Sequence, residues 1–65
     1  MDRITEKVGA YLLQEGHTRE SLAAELGITR PTLNSRLRGE SDWMLKEIIK
    51  LAEITHCTPN DLVGA

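Results

Sequence analysis

The chain has one cysteine, no long apolar run and more negative charge than positive. A lone Cys57 allows no intrachain disulfide, so nothing supports the cross-linked framework of a small secreted domain. With only His17 and His56 beside it, and no CxxC or HExxH spacing, the sequence has no metal-ligand pattern. A phosphate-cradling glycine loop and a serine elbow are also missing, and we expect no enzyme, no metal and no cofactor. No apolar stretch approaches the roughly eighteen residues that a membrane span needs. The opening MDRITEKVG carries acids and no hydrophobic signal core, which points to a cytoplasmic protein without a membrane partner. Eight basic residues against ten acidic ones leave a net charge of −2, the wrong sign for a partner of a polyanion.

What is present is ordinary for a globular chain: 40% hydrophobic and 28% charged residues. We expect residues 1–65 to form a single domain. So short a chain buries only about 60% of its unfolded surface, so its stability alone should be marginal and oligomerisation would help it. The charge is unevenly spread. Residues 29–38 hold three arginines and no acid, whereas residues 39–65 hold two lysines against five acids.

Helical periodicity runs through the chain. Ile4, Val8, Tyr11 and Leu12 make one apolar stripe, which predicts a first helix over residues 2–15, capped by Asp2 and stopped at Gly16. Thr18 is suited to cap a second helix, in which Leu22, Ala23 and Leu26 form the apolar stripe before Gly27 ends it. Thr29 can cap a third, with Pro31 tolerated in its first turn and Leu33 and Leu37 as a buried pair. A fourth helix is expected over residues 44–55, capped by Ser41 or, in preference, Asp42, with Leu45, Ile48, Ile49 and Ala52 inward and Leu51 and Ile54 to the side. Thr58 and Pro59 then open a short fifth helix, closed onto the core by Leu62 and Val63. Trp43 and Cys57 read as core residues. The fold class is all-α, a compact five-helix bundle.

The stretch from Thr18 to Gly39 is therefore two short helices joined by a tight turn, with arginines outward on the second. Its run LAAELGITRPTLNSRLRG resembles the helix-turn-helix of the Cro and repressor family of phage and bacterial regulators. The segment LKEIIKLAEITHCTPNDLV is similar to the fourth and fifth helices of that family, though Thr55 and His56 stand where a leucine and then a glycine are usual. The resemblance implies sequence-specific binding to double-stranded DNA, with the third helix in the major groove. It makes Arg30 the first choice for a base contact, followed by Pro31 and Thr32, with Asn34 and Ser35 as weaker candidates. Phosphate contacts fall to Thr18, Arg19, Thr29, Arg38 and Ser41. Arg36 is placed either among them or in a structural pair with Glu25 or Glu40.

One recognition helix reads few base pairs. The resemblance thus implies a homodimer, preformed or assembled on the DNA, on a palindromic operator with half-sites about 34 Å apart. Ile54, Thr58, Pro59 and Val63 are the candidate dimer surface. A stand-alone Cro-like repressor of phage or mobile-element origin, without a small-molecule effector, is the reading that results. The alternative is a helical protein-interaction module such as an antitoxin or a repressor adaptor, to which the acidic second half of the chain is suited.

Overall fold

Five α-helices connected by brief turns make up the computed structural model, which describes residues 3–63. They are α1 (Arg3–Leu12), α2 (Arg19–Leu26), α3 (Arg30–Leu37), α4 (Leu45–Ile54) and α5 (Pro59–Val63), and no strand occurs among the described residues. α2 packs on α3 and on α4, while α5 closes the far side against α1 and α4. The fold class read from the sequence is the one observed.

The core is built from one to three residues of each helix: Val8 and Tyr11, Leu22, Ala23 and Leu26, Leu33, Leu51 and Ala52, and Leu62. Ile4, Leu12, Ile28, Leu37, Trp43, Ile48, Ile54 and Cys57 pack around it half-buried. Burying a leucine of this kind contributes about 1.5–3 kcal/mol, so Leu22, Leu33 and Leu51, all without exposed surface, anchor the helices that carry them.

Helix ends follow the local chemistry. Thr18 Oγ1 accepts the Ser21 amide at 3.0 Å while Ser21 Oγ accepts the Thr18 amide at 3.0 Å, which satisfies two first-turn donors reciprocally. Thr58 and Asp61 repeat the arrangement at the start of α5, at 3.3 and 3.0 Å. Gly27 ends α2 in the left-handed region (φ 75°), where a side chain would be strained. His56 adopts the same region (φ 59°) after α4, with the Cys57 amide bonding back to Ala52 O at 2.9 Å. It occupies the conformation that a glycine would take without strain.

Four expectations are corrected. α1 ends at Leu12, three residues early, because Leu13 and Gln14 bond to carbonyls only three residues back and the chain tightens toward Gly16 (φ 82°). The cap expected at Asp2 lies outside the described residues. α4 is capped at Met44 rather than Asp42, since the Glu47 carboxylate reaches back to the Met44 amide at 3.1 Å. Its inward face is also rotated: Leu51 is fully buried, whereas Leu45 is 71% exposed and Ile49 is exposed. Val63, expected in the core, is 57% exposed.

Candidate nucleic-acid interface

The turn between α2 and α3 is fixed from both sides. Gly27 and Ile28 donate to the carbonyls of Ala24 and Ala23, which closes α2, and Thr29 in extended conformation caps α3 by accepting the Thr32 amide at 3.3 Å. Thr29 Oγ1 also donates to Thr32 Oγ1 at 2.9 Å. Pro31 sits in the first turn, where its missing N–H removes no intrahelical bond. Leu33 pins α3 to the core and Leu37 follows half-buried, leaving a polar outer surface.

On that surface Arg30 and Pro31 are exposed, and Thr32, Asn34 and Ser35 are half-buried. Arg30 has no hydrogen-bond or ion-pair partner among the described residues. Arg19, at the start of α2, reaches across to α3 and donates Nη1 to Asn34 Oδ1 at 2.6 Å. A phosphate candidate and a base candidate are thereby joined. Arg19 and Arg38 border one shallow groove floored by Val8, Leu12 and Leu37, with a volume of about 270 Å³.

The three arginines of residues 29–38 differ in their surroundings. Arg38 pairs with Glu40 at 2.9 Å, and both side chains are exposed, so solvent screens the pair and it opens readily to a competing anion. Arg36 is committed inward: its Nε and Nη2 bond the two Glu47 oxygens at 2.9 and 3.2 Å, and Nη1 donates to Ser41 Oγ at 2.8 Å. This corrects the structural partner expected for Arg36, which is neither Glu25 nor Glu40. It also removes Arg36 from the surface free to meet a phosphate, its side chain being only 14% exposed.

Glu47 is 1% exposed. The Arg36 hydrogen bonds, against the opposing pull of burial and with help from the Met44 amide, hold its carboxyl below the ordinary carboxylate value. The guanidinium of Arg36 is raised in turn, first by the hydrogen bond to Glu47. Sequence reasoning missed Glu47. The signal was available: Arg36 lies three residues after buried Leu33 and Glu47 four before buried Leu51, so two opposite charges occupy inward-facing helical positions.

Ser41 Oγ, besides receiving Arg36, lies 2.9 Å from Ser35 Oγ, so a phosphate candidate and a base candidate of different elements are again in contact. His17 stacks on Tyr11 with ring centroids 4.0 Å apart and donates Nδ1–H to the Tyr11 carbonyl at 3.0 Å, which fixes it as part of the α1–α2 connection. The Tyr11 hydroxyl donates to Glu25 Oε2 at 3.3 Å. Of the candidate dimer residues, Thr58, Pro59 and Val63 are exposed, the Thr58 hydroxyl serving as the α5 cap, and Ile54 is half-buried against the core.

No helix among the described residues is long and apolar enough to cross a membrane. Comparison with curated proteins and with solved structures returns no significant match. A helix-turn-helix family model does match, over residues 8–62, which takes in α2, α3 and α4 whole, the second half of α1 and all but the last residue of α5. The chain therefore belongs to the Cro/C1-type helix-turn-helix family, a family of DNA-binding regulators of transcription that are not typically enzymes.

Proposed function

We propose that the chain acts as one domain, a small Cro-like repressor that occupies a palindromic operator with α3 in the major groove. The observation that carries this reading is Arg30: exposed, in the first turn of α3, and the one arginine of that helix region with no partner among the described residues. A forked guanidinium at the N-terminal end of a recognition helix suits the O6 and N7 atoms of a guanine. Pro31 and the Thr32 methyl are the groups proposed to pack on a thymine methyl. Asn34 and Ser35 follow one turn later and are base candidates already held by Arg19 and Ser41.

Thr18, Arg19, Thr29, Arg38 and Ser41 make up the proposed phosphate set, while Arg36 serves the fold. Two copies related by a two-fold axis provide two recognition helices, and Pro59 and Val63 supply exposed apolar area for the pairing. A phage or mobile-element setting, repression by exclusion of polymerase, and the lack of an effector belong to the same proposal. Titration of labelled duplex DNA at two salt concentrations tests it, with salt-dependent binding as the expected result. The alternative, a protein-interaction module, predicts no DNA binding even at low ionic strength.

A further inference from the structure

The last turn of α3 is held by a set of polar groups that belong to three elements. Glu47, buried at the start of α4, takes Arg36 on both carboxylate oxygens and the Met44 amide on one of them. The remaining Arg36 nitrogen, Nη1, goes to Ser41 in the α3–α4 loop, and Ser41 meets Ser35 on α3. Among the described residues no buried side-chain nitrogen or oxygen is left without a partner.

We infer that Glu47 is a positioning residue for DNA readout: acting through Arg36 and Ser41, it sets where Ser35 and the α3–α4 loop stand against the duplex. The inference rests on the DNA-binding reading above. Stability alone gives little reason for the pair. Taking two charges out of water costs about what their attraction returns, and an apolar pair of similar volume commonly fills such a site equally well. Leu33 and Leu51, each fully buried within one helical turn of the pair, are neighbours against which an apolar pair would pack.

An apolar pair lacks direction. A guanidinium bound through two of its nitrogens to a carboxylate fixes the plane and separation of the two helices that carry them. Its third nitrogen then aims at one hydroxyl, Ser41, whose loop approaches the DNA backbone in the proposed geometry. Replacing both partners by apolar residues leaves the net charge at −2, because one positive and one negative group go together. Long-range attraction to DNA is therefore unchanged by the double replacement.

The test compares wild type with a double variant, Arg36→Met with Glu47→Leu, and with Arg36→Lys, which keeps the charge and loses the fork. The probes are a duplex of about twenty base pairs selected by the wild-type protein from a randomised pool, and an unselected duplex of equal length. Urea unfolding should place the double variant at or above wild type. Both variants should bind the unselected duplex with the wild-type salt slope, and lose about tenfold of the preference for the selected one, the scale of a single disrupted base contact. Full retention of that preference in either variant overturns the inference, as does a double variant much less stable than wild type. Wild-type protein that enriches no duplex and binds neither probe sinks the DNA-binding reading itself, a result distinguishable from both.

Discussion

At the scale of the residue, two arginines are expected to do different work. Arg30→Ala removes an unpaired side chain from the first turn of α3 and should cost about 1–3 kcal/mol of binding, with relaxed preference at one base position. Arg19→Ala should weaken binding to all duplexes alike and reduce the salt slope by about two, one for each chain of the dimer. Titration of both variants against single-base operator variants separates the roles, and equal losses everywhere for both would contradict them. The position of Arg30, exposed in the first turn of α3, was legible because Thr29 and Pro31 mark that turn. The pairing of Arg36 was not, since the sequence pointed to Glu25 or Glu40, and the actual partner lies eleven residues on in another helix.

The Arg36–Glu47 pair also predicts a pH dependence. Glu47 in the folded chain binds its proton more weakly than in the unfolded chain, whose ordinary value is 4.5. A lowered carboxylate contributes stability that is fully present above the unfolded value and is lost as pH falls through the folded one. Urea midpoints of wild type should accordingly hold level from neutral pH to about 5 with respect to this group and decline below about 4.5. The double variant should lack that part of the decline. Glu47→Ala leaves a guanidinium unpaired beside the core and should cost about 3 kcal/mol, a large share of the roughly 3–10 available to a chain of this size.

Among the elements, α2 and α3 were the most legible and α4 the least. Thr18, Gly27, Thr29 and Pro31 each specify a backbone state by local chemistry, and the structure places the two helices within a residue of where those signals put them. In α4 the apolar residues cover more than one face, so periodicity alone allowed Leu45 and Ile49 inward. The buried ion pair decides the rotation. Glu47 must face Arg36, which brings Leu51 inward one turn later and carries Leu45 and Ile49 outward. The same residue moves the cap from Asp42 to Met44, because its carboxylate serves the first turn from within the helix. Thermal or urea unfolding should therefore show Leu51→Ala destabilised by about 2–5 kcal/mol and Leu45→Ala changed by no more than about 0.5. Comparable losses at both positions would put Leu45 back in the core.

For the whole molecule, the sequence charge map was both informative and incomplete. It located three arginines in one window of an acidic chain, yet folding brings acids of the later segment onto that window, Glu47 onto Arg36 and Glu40 onto Arg38. In compensation Arg19 arrives from α2 to stand beside Asn34. The positive surface is thus Arg19, Arg30 and an exposed, weakly paired Arg38, spread over two helices rather than concentrated on one. So small a field on a chain of net charge −2 should bind unselected DNA weakly and depend on the geometry of a few contacts.

The central claim is that this surface meets duplex DNA, and fluorescence anisotropy of a labelled duplex across a salt series measures it most directly. If two chains each neutralise about two phosphates, through Arg19 and Arg38, the logarithm of the binding constant should fall linearly against the logarithm of salt concentration with a slope of about −4. No binding at low ionic strength, or binding that salt leaves unchanged, would contradict the account.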